Sequence, residues 1–181
     1  LTLVGTSGST SWLYLCLFMV IAYSAKGLRF KEKPFLDSIT SSLHFVGPMI
    51  FGLALAEVNF AQSQIIIAIL AFVLWGVASH AFGAVQDVRA DREGGISSIA
   101  TVIGARATVR VSMAAYVTAA LLLLGLEWPY SLTSLAALPY LFILAPFWNI
   151  TDATCTLANS GWKKFIWLNF LAGTIVTLLV I

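Results

Sequence analysis

The run QIIIAILAFVLWGVASHAFGAV, residues 64–85, places no Asp, Glu, Lys or Arg in 22 consecutive positions and is apolar nearly all round. A helix rising about 1.5 Å per residue needs about twenty such residues to cross roughly 30 Å of hydrocarbon, so a run of this length reads as a membrane span. Other stretches approach the same requirement, giving six spans at approximately 9–25, 38–56, 61–85, 107–126, 131–148 and 163–181. A membrane barrel would instead show short segments of alternating polarity, which these runs lack. The expected fold is all-α: a polytopic transmembrane helical bundle of about six helices, read as one domain over residues 1–181. Only 10% of the residues are charged and the mean hydropathy is +0.94, as a bilayer-spanning chain requires.

Charge is distributed by connection. All ten Lys and Arg residues fall at Lys26, Arg29, Lys31 and Lys33, at Arg89, Arg92, Arg106 and Arg110, and at Lys163 and Lys164. These are the first, third and fifth connections, which an alternating chain puts on one side of the membrane. The other two connections, around Glu57–Gln62 and Gly125–Ser131, carry no basic residue. By the positive-inside rule the basic side is cytoplasmic, and the protein is expected to be a multi-pass protein of the cell membrane. The net charge of +2 therefore reflects orientation and gives no reason to expect a nucleic-acid partner. Cys16 lies within the first span and Cys155 in the third basic connection, so no disulfide or zinc framework is expected; Cys155 is expected to be open to thiol reagents from the cytoplasmic side. A start on LTLVGTSGST without Met, and an apolar last residue, Ile181, read as a fragment of a longer chain.

The charged exception inside this chain is DVRADRE, residues 87–93. Asp87 and Asp91, four residues apart, lie one helical turn apart on one face, where two carboxylates can hold divalent cations between themselves and a phosphate ligand. The face continues into the membrane through Ala84, Gly83 and His80, where small side chains leave room for a pocket. The alternative is a solvated helix end whose Asp and Arg residues pair with one another. A second polar cluster, YSAKGLRFKEKPFLD at residues 23–37, lies on the same side. Its Tyr23, Lys26 and Arg29 are spaced to converge on phosphate oxygens, or else form an orienting basic loop. Asp37 after Pro34 reads as the N-cap of the next helix, and His44 as a hydrogen-bonded interior residue.

With both clusters in view the chain resembles the UbiA superfamily of intramembrane prenyltransferases. YSAKGLRFKEKPFLD is similar to the family's segment of Tyr-Ser, basic residues and Leu-Asp. DVRADREGGISSIATVIG looks like its second Asp-rich motif. WGVASHAFGAVQD and GLRFKEKPFLDSITSSLHFVGP look most like the lycopene elongases of C50 carotenoid synthesis. The resemblance implies nine membrane helices around a cavity open to the cytoplasm and to lipid, in which two Asp-rich motifs hold an allylic diphosphate through Mg²⁺. Asp87 and Asp91 would ligate the metal; Tyr23, Lys26, Arg29 and Arg92 would contact the diphosphate; His80 and Gly83 would line the pocket. Dimethylallyl diphosphate would be the donor and lycopene the lipophilic acceptor, drawn from membrane lipid. Trp75, Phe82, Tyr116 and Trp148 would face the allylic cation, although each taken singly also reads as packing or as an interfacial anchor.

The family's first Asp-rich motif does not occur in residues 1–181. The six spans are therefore expected to match the last six of nine, with an Asn/Asp-rich motif in upstream helices and no catalysis by this chain alone. A UbiA-type enzyme acting on a quinone precursor, haem or a sugar phosphate would share the diphosphate site and differ in its acceptor. A CDP-alcohol phosphotransferase also spaces aspartates by four, but its preceding Asp-Gly-x-x-Ala-Arg is missing. A transporter or structural bundle would carry polar groups at the bilayer midplane, whereas the strong charges here cluster at one interface.

Overall fold

A computed structural model describes residues 5–180, so Leu1–Val4, on which the reading of a chain start rests, and Ile181, the end of the sixth span, lie outside the described residues. Among the described residues the chain is helical, with no strand. The helices are α1 (Ser7–Ser24), α2 (Leu36–Leu55), α3 (Ser63–Val85), α4 (Val88–Glu93), α5 (Ile99–Ile103), α6 (Ala105–Leu123), α7 (Ala137–Leu144) and α8 (Asn159–Val180). Four segments are long and apolar enough to cross a membrane: α2, α3, α6 and the stretch Tyr130–Phe147 that contains α7. The helices α1 and α8 lie where the first and sixth spans are expected, but each has a polar first turn and neither is among the four.

The fifth span departs from a uniform α-helix. It is assembled from a 3-10 turn at Tyr130–Ala136, then α7, then a second 3-10 turn at Ala145–Phe147. Pro139 and Pro146 lack the N–H that an α-helix uses at those positions, so tighter turns replace the continuous ladder. The acidic segment is likewise separate from the span before it. The helix α3 ends at Val85, and Asp87 caps the short α4 rather than continuing α3.

Successive spans pack side by side, and α3 is the central member, set against α2 on one side and α6 on the other and touching α8. Two close contacts fix it. Ser42 of α2 donates its hydroxyl to the Val73 carbonyl of α3 at 2.9 Å, and opposite it Gly76 lets the helices approach. On the other face Ser79 and Tyr116 share a buried hydrogen bond of 2.7 Å. Tyr116 stacks on Tyr140 with ring centroids 4.9 Å apart, and the Tyr140 hydroxyl donates to Asn169 at 2.7 Å, so one column joins α3, α6, α7 and α8. In a bilayer, where lipid tails compete for apolar contact, such small-residue approaches and interhelical hydrogen bonds set the pairing.

A Cβ added at Gly76 would lie 2.8 Å from Ser42 Cβ and 2.9 Å from Ser42 Cα, so backbone would have to move. Gly52, near the end of α2, faces open space. Thermal unfolding in detergent should show Gly76→Ala destabilised by about 1–3 kcal/mol, with Gly52→Ala at or above the native value.

Candidate active site

The chain from Gln86 to Gly104 folds across the end of α3, and every turn in it has an identifiable cause. Gln86 closes α3 and ties it down: its Nε2 donates to the Gly83 carbonyl at 3.0 Å, its Oε1 accepts from Asn159 of α8, and its carbonyl accepts from the Cys155 thiol at 3.7 Å. Asp87 follows as the cap of α4, and the Asp91 N–H donates to the Asp87 carbonyl at 2.8 Å. One turn thus separates the two carboxylates, as their spacing requires. Both titrate above the ordinary carboxylate range. Partial burial raises Asp87. Burial also raises Asp91, and the negative charges of Asp87 and Glu32 add to it. Among the described residues no cation lies within ion-pair distance of either Asp87 or Asp91.

Downstream, Ser98 and Thr101 form a reciprocal capping box that starts α5. The Ile99 N–H at this helix start donates at 2.9 Å to Asp37, which is wholly buried at the beginning of α2. Asp37 is therefore not the N-cap of its own helix. Phe35 occupies that position, and the carboxylate instead caps α5 across the fold. His80 Nε2 stands 3.8 Å from the same carboxylate, so α2, α3 and α5 meet at one acid.

Arg92 is committed to a different junction from the expected one. Its Nε and Nη2 donate to the Thr101 carbonyl at 3.1 and 2.7 Å, and its Nη1 to Asp152 at 2.6 Å. The other Asp152 oxygen accepts from the Ala105 N–H at the start of α6, at 2.7 Å. This N–H and the Arg92 guanidinium hold the Asp152 carboxyl below its ordinary value. Gly104, at φ +82°, makes the corner between α5 and α6, where a Cβ would also press on the Asp152 carboxylate at 3.3 Å.

The basic connection comes to the same end of the bundle. Tyr23 sets its ring edge-on to His44 at 5.0 Å and to His80 at 6.5 Å. Lys26 and Arg29 are exposed on the loop beyond it. Arg29 pairs through two nitrogens with Glu32, which raises the guanidinium and lowers the carboxyl. Arg29 and Phe35 both adopt positive φ, an unfavourable backbone for bulky side chains that brackets the turn facing Asp91. The structure thus brings Tyr23 and His80 together around Asp37 and His44. His44 is not hydrogen-bonded throughout, because its buried Nε2 has no partner among the described residues.

Three expectations are corrected. The room beside Gly83 itself is filled by the Trp162 indole, whose atoms would lie 3.0–3.2 Å from an added Cβ. Cys155 is fully buried against Gln86 and is closed to reagents. Phe82 and Tyr116 are core side chains; Trp75 meets Tyr140 edge-on at 6.1 Å, and Trp148 lies over the Arg110 guanidinium at 4.7 Å. All four aromatics have packing roles. Glu32, Gln86 and Asp152 are the residues that sequence reasoning passed over. The signal for Asp152 was its isolation as an acid in a basic connection.

Asp87 and Asp91 offer hard, anionic oxygen donors with no competing cation, a donor set suited to Mg²⁺. Among the described residues no group of three or more His, Cys, Asp and Glu side chains is placed to enclose a metal.

Helices long and apolar enough to cross a membrane, with an aspartate pair in the turn and short helix beyond α3, agree with the family to which the chain is matched. The chain belongs to the UbiA prenyltransferase family, whose model matches residues 1–179. It is 49% identical over its whole length to the lycopene elongase/hydratase of Corynebacterium glutamicum, of which it covers 63%. It is 52% identical, again over its whole length, to the C(50) beta-cyclic carotenoids biosynthesis protein LbtBC of Dietzia sp. (strain CQ4), of which it covers 42%. The lycopene elongase/hydratase of Haloferax volcanii is 34% identical over 60% of this chain and 35% of its own. The chain therefore spans less than two thirds of the length of these curated relatives. No solved structure matches it.

Removing the Asp37 carboxylate strands the buried Ile99 N–H. Asp37→Ala should lower stability by about 1.5–3 kcal/mol and speed amide exchange in residues 98–104, whereas Asp37→Asn, which keeps an acceptor, should fall between it and the native protein. Thermal unfolding and hydrogen exchange measure the two effects.

Proposed function

We propose that the protein is an integral-membrane prenyltransferase that moves a dimethylallyl group from its diphosphate to a lipophilic acceptor, lycopene, in C50 carotenoid synthesis. One observation carries the chemistry: two carboxylates one turn apart, both raised in pKa and neither neutralised by a cation, at the end of a membrane span. The likeness to relatives named lycopene elongase/hydratase over the whole chain supports the acceptor. Asp87 and Asp91 hold Mg²⁺, which when bound supplies positive charge to the departing diphosphate. Lys26 and Arg29, on the loop after α1, and Tyr23, in the last turn of α1, reach the phosphate oxygens, and the Arg29–Glu32 pair opens when phosphate replaces the carboxylate. Arg92 positions α4 through Asp152 and Thr101 and stays off the substrate. The allylic carbon–oxygen bond breaks with its electron pair on the diphosphate. The acceptor double bond then attacks the cation, and the new cation loses a proton or takes up water. Apolar walls around the site keep water from the first cation.

A diphosphate needs more metal ligands than these two carboxylates provide. The remaining carboxylates come from a part of the protein outside residues 1–181, and the aspartate site faces the cytoplasm on the side of the basic connections.

In the intact protein, Asp87→Asn or Asp91→Asn should reduce product formation from dimethylallyl diphosphate and lycopene by about a hundredfold or more without loss of folding, and chelation of Mg²⁺ should abolish it. Near-native turnover in both variants would remove the metal role. Protons compete with metal for these oxygens, and their pKa values lie above the ordinary carboxylate value of 3.8. The Mg²⁺ concentration needed for half-maximal activity should therefore rise as pH falls through this raised range and level off above it. Because Cys155 is buried, sidedness is tested with Thr156→Cys at an exposed neighbouring position. In sealed cells a membrane-impermeant thiol reagent should label it only after the membrane is opened, and labelling of intact cells would reverse the orientation.

A further inference from the structure

Outside the aspartate site, the first turns of α6 and the segment 150–152 enclose a groove of about 580 Å³. Arg106 and Arg110, four residues apart on α6, line it from one side, and Ile103, Val111 and Ile150 supply apolar wall. Asp152 also lines it, but both of its oxygens are engaged, one by the Ala105 N–H and the other by Arg92. Among the described residues neither Arg106 nor Arg110 has a carboxylate within ion-pair distance. The groove thus keeps two uncompensated guanidinium charges. One of them is held in place: Arg110 lies over the Trp148 ring at 4.7 Å and donates to Asn149 at 3.4 Å.

We propose that this groove binds the phosphate of an anionic phospholipid. Guanidinium groups are the side chains best matched to phosphate oxygens, and two of them one turn apart can take a single phosphate from one helix face. The surroundings select the lipid over a free anion. The helix α6 is one of the spans, so its first turn lies at headgroup depth. Val102, Val111, Trp148 and Leu157 leave exposed apolar surface around the groove on which acyl chains can lie. The proposal rests on the membrane-spanning reading of α6 and is independent of the chemistry at Asp87 and Asp91.

The test uses the intact protein, delipidated in a neutral detergent and titrated separately with short-chain phosphatidylglycerol, short-chain phosphatidylcholine and inorganic phosphate. Native mass spectrometry reads the bound lipid and thermal unfolding reads the stabilisation. Phosphatidylglycerol should be retained and should raise the unfolding temperature, with phosphatidylcholine and phosphate well behind. The double variant Arg106→Gln, Arg110→Gln should lose about tenfold in apparent affinity for phosphatidylglycerol, with Arg106→Lys, Arg110→Lys in between. Lys163→Gln with Lys164→Gln, exposed basic residues of α8 outside the groove, should bind as the native protein does. Native-like phosphatidylglycerol binding by the double glutamine variant would overturn the proposal. Inorganic phosphate binding as tightly as phosphatidylglycerol would replace the lipid by a free anion. If the double variant does not fold, the native protein decides, because equal retention of phosphatidylcholine and phosphatidylglycerol would also overturn it.

Discussion

The Asp37 carboxylate, buried at the start of α2, accepts the Ile99 N–H and stands beside His80. A carboxyl side chain taken out of water must find fixed partners, and this one finds the N–H at the start of α5. The site depends on that meeting. It fastens the basic connection, which ends at Asp37, to the segment that follows the aspartates. The loop bearing Lys26 and Arg29 and the turn bearing Asp87 and Asp91 are thereby held at one end of the bundle. A second clamp, from Arg92 through Asp152 to the Ala105 N–H, closes the other side of the same segment. Between the two pins α4 carries its carboxylates into partial burial without a cation.

That arrangement explains why the acids differ in state. Asp152 lies between a guanidinium and a backbone N–H and is held low, while burial pushes Asp87 up, and burial with the charges of Asp87 and Glu32 pushes Asp91 up. A cation bound between the two would relieve the repulsion, as the proposed metal role requires. The arginines divide in the same way. Arg92 pairs with Asp152, Arg29 pairs with Glu32, and Arg106 and Arg110 have no carboxylate partner among the described residues.

The spans were legible because length and apolarity are local properties: α2, α3 and α6 fall where the hydrophobic runs lie. The fifth span was legible in position and not in form, since Pro139 and Pro146 turn it into 3-10 pieces flanking a short α-helix. The aspartate pair was visible in its four-residue spacing. What supports it was not, because Asp37 pairs with a residue 62 positions away and Arg92 with one 60 away, and no local pattern encodes such partners. Gly83 shows the same limit. A small residue in the sequence marks space beside a helix, but whether that space stays open depends on what another helix brings to it, and here α8 brings Trp162. Cys155 sits in a polar connection by sequence, yet the turn at Asp152–Ala158 folds it inward onto Gln86.

The central claim, that Asp87 and Asp91 place a divalent cation against a diphosphate, is tested most directly by phosphorus magnetic resonance. The intact protein would be loaded with a non-ionising thio-analogue of dimethylallyl diphosphate and with paramagnetic Mn²⁺ in place of Mg²⁺. The account predicts strong broadening of both phosphorus resonances in the native protein and its loss when Asp87 and Asp91 are both replaced by Asn. Equal broadening in the native protein and in that variant would contradict it.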